Sequence, residues 1–358
     1  MHKHLSAAVA ALLGLTSAAM AQDAAQPAGP PTDAPPPCAR PALADTAELQ
    51  PVSGSNLMTV PVAINGTPRL FLLEVGRTPD QVSAATMDEL HLPQTTQTIG
   101  SNGLADLNTV SQFHPAMFDI KSGITASDIQ SRVHIASFTI GGATVHDVVF
   151  MVANDRDLGK AKPYDGLLTT GLFSQYDIDA DFGGKKLSFL TATSCADPNQ
   201  VAYWRHEVVA AIPMTLTNGR ITLPVTIGGH QIDAVIDTGS DHTVMRRGVA
   251  EQTFGLKADT PDMMPAGDLR DGASGQVYQH TFPQIAFGGV IASNVPALIQ
   301  ANSMVHKMDR TPTLGSRATF TSAPAERVPD LALGMDVLRQ LHLYVAFAQG
   351  KLYVTPAM

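Results

Sequence analysis

The sequence predicts an all-β molecule: two related β-rich lobes with a central cleft between them. Three observations carry that expectation. Short apolar runs alternate with Gly, Asn and Pro along most of the chain, as strands joined by tight turns do. Helical patches are few and short, Ala84 to Leu90 and Met335 to Leu341 among them. The strand-like segments also occur twice in the same order, at a spacing near 164 residues. That period is too long for a stacked solenoid and fits two lobes related by a pseudo-twofold axis.

The repetition is explicit. Thr59-Val60-Pro61-Val62-Ala63-Ile64 precedes Asn65-Gly66, and Thr222-Leu223-Pro224-Val225-Thr226-Ile227 precedes Gly228-Gly229. A shift of 163 residues carries Thr59 onto Thr222, Pro61 onto Pro224 and Gly76 onto Gly239 without a gap. Ile140-Gly141-Gly142 and Phe287-Gly288-Gly289 mark a second hairpin in each copy. A shift of 165 then aligns Asp165 with Asp330, Leu168 with Leu333, Phe182 with Phe347 and Lys186 with Lys351. The first repeat is placed at 45–190 and the second at 208–358, joined by a polar link at 191–207 that holds the single Trp204. The second repeat carries a longer loop near 302–329.

The chain is 358 residues long, with 44% apolar and only 15% charged residues. It can bury a substantial core, so global disorder is excluded. A net charge of −9 without a Lys/Arg cluster does not suit a phosphate backbone, so nucleic acid is not an expected partner.

Residues 1–21 read as a secretory signal: a basic start at His2, Lys3 and His4, an apolar run from Leu5 to Leu15, and an Ala19-Met20-Ala21 cleavage site. No later stretch is apolar enough to suggest a membrane span in the mature chain. The expected location is periplasmic or secreted. Residues 22–44 form an Ala/Pro-rich leader, with Pro35-Pro36-Pro37 inside it. The two cysteines, Cys38 and Cys195, are expected to form one disulfide in an oxidising compartment. It would clasp the first repeat end to end.

The chemistry concentrates in Ile232-Asp233-Ala234-Val235-Ile236-Asp237-Thr238-Gly239-Ser240. An apolar strand ends on a carboxylate followed by Thr, Gly and a hydroxyl. Gly239 allows a tight turn that points backbone N–H groups at Asp237. Ser240 is expected to donate a further hydrogen bond to that carboxylate, and Thr238 to tie the loop to the other lobe. One such loop is half a catalytic site. Two close carboxylates share a proton because both cannot ionise at that separation. One then acts as general base on water and the other as general acid.

On these residues the chain resembles the retropepsin-like aspartic proteases, in a tandem single-chain form. Asp237-Thr238-Gly239-Ser240 carries the likeness together with Ala332-Leu333-Gly334, the following Met335-Asp336-Val337-Leu338, and a final strand near Lys351-Leu352-Tyr353-Val354. The resemblance implies an acid-protease fold of two homologous lobes, peptide-bond hydrolysis without metal or cofactor, and a peptide or protein substrate. It also implies a flap hairpin. The segment from Gly272 to His280, with Gly275 and Tyr278, is the candidate.

The first repeat departs from this pattern. It reads Leu73-Glu74-Val75-Gly76-Arg77, so Gly76 is retained while Glu74, Val75 and Arg77 replace Asp, Thr and Ser. The late Gly becomes Thr169 in Leu167-Leu168-Thr169. An extra methylene moves a carboxylate by about 1 Å, which catalytic geometry tolerates poorly. Arg77 would hold Glu74 ionised. Three readings stay open. Asp237 and Glu74 form an unequal catalytic pair. The first repeat is a scaffold and the cleft binds peptide without cutting it. Or two chains pair so that two copies of Asp237 meet. A monomer with pseudo-twofold symmetry is expected, with that homodimer as the alternative. The histidines show no metal-ligand spacing, so no metal is expected. Asp241-His242 is a candidate for tuning Asp237. The Gly288-Gly289 turn lacks the following helix of a phosphate-binding loop, so no nucleotide is implied.

Overall fold

Alternating burial explains the strands. In a computed structural model, which describes residues 38–76, 79–98, 129–153, 162–173, 175–204, 208–217, 219–268, 276–300 and 329–357, the segment Met58–Ile64 points Val60, Val62 and Ile64 inward and Arg220–Ile227 does the same with Ile221, Leu223, Val225 and Ile227. Side chains at every second position then line one face.

The first lobe runs through β1 (Leu43–Glu48), β2 (Gln50–Pro51), β3 (Met58–Ile64), β4 (Thr67–Glu74), β5 (Gln81–Ser83), helix α1 (Ala84–Glu89), β6 (Gln94–Thr98), β7 (Ile129–Ile140), β8 (Ala143–Ala153), β9 (Gly166–Thr169), α2 (Thr170–Phe173), β10 (Asp177–Asp181) and β11 (Lys186–Leu190). After α3 (Pro198–Val201), the second lobe runs through β12 (Ala210–Pro213), β13 (Thr215–Thr217), β14 (Arg220–Ile227), β15 (His230–Ile236), β16 (Thr243–Arg246), α4 (Arg247–Phe254), β17 (Met264–Asp268), β18 (Gln276–Phe287), β19 (Val290–Gln300), β20 (Leu331–Leu333), α5 (Met335–Leu338), β21 (Leu341–Ala346) and β22 (Lys351–Pro356).

Each lobe holds an eight-stranded sheet. The orders are β2-β3-β4-β9-β5-β8-β7-β6 and β13-β14-β15-β20-β16-β19-β18-β17, with extra pairings β3–β7 and β14–β18. The two orders correspond strand for strand. The hairpins β3–β4 and β14–β15 turn at Asn65-Gly66 and Gly228-Gly229, all four residues at positive φ, which two-residue hairpin loops require. In each sheet the strand that feeds a central loop, β4 or β15, lies parallel to a late strand, β9 or β20.

A third sheet, β1-β11-β10-β21-β22-β12, joins the lobes through the antiparallel pair β10–β21. One face, with Ile178, Ala180, Leu343 and Val345, belongs to the main core. The other, with Leu190, Tyr344, Ala346 and Tyr353, packs on a second cluster with Cys195 and Val201. The molecule is all-β and two-lobed, as expected. α1 forms where expected, capped by Ser83 Oγ accepting from Thr86 N at 3.0 Å. α5 is shorter than expected: it stops at Leu338, because Leu341 already opens β21. The expected leader also ends earlier than residue 44, since Leu43 pairs with Leu190 in the joining sheet. Cys38 and Cys195 form the expected disulfide.

Candidate active site

β15 buries Ala234, Val235 and Ile236 and ends at Asp237, whose N–H donates to Leu333 O of β20 at 3.0 Å. The strand thus delivers Asp237, half-buried, to the junction of the lobes. Gly239 N donates to Asp237 Oδ1 at 3.2 Å and Ser240 N to Asp237 O at 3.3 Å. The turn therefore does point an N–H at the carboxylate. The Ser240 hydroxyl does not: it donates to His242 O at 2.8 Å. The chain reverses so tightly after Ser240 that this carbonyl is its near acceptor.

Thr238 ties the lobes together, as its position suggested. Its hydroxyl, on a residue 2% exposed, donates to Leu73 O at 2.7 Å and accepts from Val75 N at 2.8 Å. Val75, buried at the aligned position, has no hydroxyl with which to return the contact. Gly76 N instead donates to Thr170 Oγ1 at 3.2 Å, and Thr170 Oγ1 donates to Gly219 O of the second lobe at 3.0 Å. The clasp across the lobes is retained in both directions, with different residues.

The two central loops cross at their glycines. A Cβ on Gly76, at φ +119°, would stand 2.0 Å from Ile236 O. A Cβ on Gly239 would stand 2.8 Å from Glu74 Cδ and 2.9 Å from Glu74 Oε1. At Gly76 the obstacle is backbone, so only glycine lets the loops approach this closely, while at Gly239 it is the end of the Glu74 side chain. The Glu74 carboxyl, on a residue 5% exposed, therefore packs directly on Gly239, two residues from Asp237. Glu74, Gly76, Asp237, Thr238 and Gly239 are brought to one place.

Around them lie Asp241 and His242, and a set of contacts at Asp80, Thr169, Thr243 and Asp336 that sequence reasoning missed. Asp241 Oδ1 accepts from Ser55 Oγ and Asn56 N, both at 2.6 Å, and Asn56 Nδ2 donates to Asp241 O at 3.1 Å. Asp241 is thus a docking point for the first lobe, and His242 is exposed. In the second lobe Asp336 accepts from Thr243 N at 2.9 Å and Thr243 Oγ1 at 2.7 Å, and Thr243 Oγ1 accepts from Gly334 N at 3.2 Å. In the first lobe the acid stands on the other side of the contact. Asp80, aligned with Thr243, accepts from Thr169 N at 2.7 Å and Thr169 Oγ1 at 3.0 Å. Burial pushes Asp80 up to about 7, against the opposing hydrogen bonds from Thr169. Thr169 is itself the register partner of Glu74. The one signal in the sequence was the paired change: Asp for Thr at 80, and Gly171 where the second lobe has Asp336.

Tyr278 lies half-buried at the start of β18, opposite Pro265 of β17, with the Arg247 guanidinium 5.3 Å from its ring centroid. Gly275 and Arg77 lie outside the described residues. A hollow of about 560 Å³ opens elsewhere on the second lobe, beside Phe254, Leu256, His280 and Phe282, and takes no residue of the central loops. Among the described residues, no three His, Cys, Asp or Glu side chains gather to hold a metal, and no helix is long and apolar enough to cross a membrane.

Residues 223–337 match the aspartyl protease family model. That span runs from β14 through α5 and contains both the Asp237 loop and the Asp336–Thr243 contact. No curated protein matches the chain. Solved structures that resemble it include conglutin gamma, a basic 7S globulin from lupine seeds, at 12% identity over 88% of this chain and 95% of that one, with a TM-score of 0.46. Basic 7S globulin from soybean matches at 10% identity over 88% and 97% of the two chains, with a TM-score of 0.48.

Proposed function

We propose that this chain is an exported aspartic-type endopeptidase. It works as a tandem duplication of one unit within a single chain, using Asp237 and Glu74 as an unequal carboxyl pair. The observation that carries the reading is the Glu74 carboxyl seated on Gly239 of the Asp237-Thr238-Gly239-Ser240 loop. The matching strand orders of the two eight-stranded sheets support the duplication, and the aspartyl protease match over 223–337 supports the chemistry. The Cys38–Cys195 disulfide and the Ala19-Met20-Ala21 site support export to a periplasmic or secreted location.

In this reading the two carboxyls share a proton, because two that meet in one cleft cannot both ionise. The ionised member takes a proton from water, whose oxygen adds to the peptide carbonyl carbon. The protonated member gives its proton to the carbonyl oxygen. Collapse of the tetrahedral adduct breaks the C–N bond: the nitrogen takes a proton from the base, and a hydroxyl of the adduct returns its proton to the acid as the carboxyl product forms, which restores the shared proton. The Gly239 N–H donated to Asp237 favours its ionised form and suits Asp237 to the base role.

A second reading rests on specific residues. Val75, Arg77 and Thr169 replace Thr, Ser and Gly of the second lobe, so the same cleft could serve as a peptide-binding site that does not cut. Cleavage of a mixed peptide library from pH 3 to 8 separates them. The peptidase reading expects cutting by the wild-type mature chain, and a loss of roughly a hundredfold or more in both Asp237→Asn and Glu74→Gln. Loss in Asp237→Asn alone would remove Glu74 from the chemistry. No cutting at any pH would leave the binding module.

A further inference from the structure

The joining sheet buries a polar network that the site does not use. In β10–β21 the register sets Asp179 opposite Tyr344 and Asp181 opposite His342. On the diagonals, the Tyr344 hydroxyl donates to Asp177 Oδ2 at 3.0 Å, and His342 Nε2 hydrogen-bonds Asp179 Oδ1. Asp177, Asp179, His342 and Tyr344 are at most 3% exposed. The segment after β11 roofs them: the Tyr203 hydroxyl donates to Asp179, and the Trp204 ring stacks on His342 at 4.1 Å between centroids. The expected polar link is thus a folded cover. Burial raises Asp177 above the usual carboxylate range, while the Tyr344 hydroxyl and the Phe347 amide hold it down.

The shift of 165 residues that relates the two repeats carries Asp177 onto His342 and Asp179 onto Tyr344. The two bonds are therefore related by the same shift, each joining one of these positions to the counterpart of the other. In both of these bonds the carboxyl is in the first lobe and its partner in the second, while Tyr203 adds a contact to Asp179 from the segment between them. Because Asp179 faces its own counterpart, a like-with-like pairing at this register would set identical residues against each other. Two first lobes would bury four carboxylates together, without cations. Two second lobes would bury His342 and Tyr344 with no carboxylate to receive them. Each arrangement carries the cost of unpaired buried polar groups. Discrimination by such mismatches is how interfaces select one partner over a near copy.

We infer that the β10–β21 face is a pairing code that admits only a first lobe against a second lobe, so that one Asp237, and never two, reaches a central cleft. This inference does not depend on whether the cleft cuts peptides. It explains why the first lobe is kept although its loop has lost Asp, Thr and Ser, and it removes the homodimer of facing Asp237 loops.

The test uses the full mature chain and no activity readout. Native mass spectrometry across a wide concentration range should show monomer throughout; a stable dimer overturns the inference. His342→Asp sets a third carboxylate into the face and should lower the thermal midpoint by roughly 5–10 °C or prevent folding. The reversed pair Asp179→His with His342→Asp restores one acid to one base and should recover at least half of that loss. A reversed pair no better than His342→Asp alone, or a His342→Asp variant as stable as wild type, would overturn the code.

Discussion

Thr238 shows what a single side chain does here. One buried hydroxyl satisfies a carbonyl and an amide of the opposite lobe, at Leu73 and Val75. Removing it orphans both, so Thr238→Val should cost about 2–4 kcal/mol in a urea titration. Ser240→Ala, whose hydroxyl meets only the His242 carbonyl, should cost under about 1 kcal/mol. Equal losses would show that the Thr238 contact does not hold the lobes. Asp80 gives a residue-scale pH dependence. Its folded pKa is raised from 3.8 to about 7, so the fold favours the neutral acid. That contribution is complete below pH 4 and lost as pH rises through about 7. The groups facing Asp80 are Thr169 and the Leu172 amide. Thermal midpoints measured from pH 4 to 8 should fall for wild type relative to Asp80→Asn, and parallel curves would show that Asp80 ionises normally. Asp237 was legible because strand, carboxylate and glycine turn are contiguous in sequence. Asp80 was not. Its acid and its hydroxyl partner had changed sides of one contact, so each position alone read as an unrelated substitution.

At the scale of elements, the hairpins were legible and the sheet that joins the lobes was not. The turns at Asn65-Gly66 and Gly228-Gly229 need positive φ, and alternating burial on both sides leaves a pattern any reader of the sequence can find. The joining sheet takes β1, β10 and β11 from both ends of one lobe and β12, β21 and β22 from both ends of the other. Its pairings are set by register between distant segments, which periodicity does not encode. The same gap explains the misplaced boundaries. The stretch read as a loose link carries Tyr203 and Trp204 onto that sheet. The stretch read as leader contributes Leu43 and Cys38 to the fold. In both lobes the late strand, β9 or β20, holds the central loop by parallel pairing, and a single carboxylate, Asp80 or Asp336, fastens the join. The matching elements of the two lobes play the same roles with different residues.

For the whole molecule, the disulfide acts on the joining sheet. Cys38 precedes β1 at one edge of that sheet, and Cys195 begins the cover over Asp177 and Asp179. Gln349, from the second lobe, donates to the carbonyls of Thr193 and Cys195 at 3.0 and 2.8 Å. The bridge and these bonds therefore hold one lid from both lobes. It spans 157 residues, and closing so long a loop restricts the unfolded chain strongly, typically by about 2–4 kcal/mol. Reduction should lower the thermal midpoint by roughly 3–6 °C in calorimetry. The double variant Cys38→Ser with Cys195→Ser should show the same midpoint with or without reductant. Because Leu73 and Val75 belong to the main core, apart from the cluster around Cys195, and are fastened by the Thr238 hydroxyl, the reduced protein should keep its central loops folded at room temperature. Hydrogen exchange should then rise at residues 191–204 while remaining slow at Val75. Equal rises at both would show that the cover and the cleft open as one unit, and that the disulfide governs the site as well as the lid.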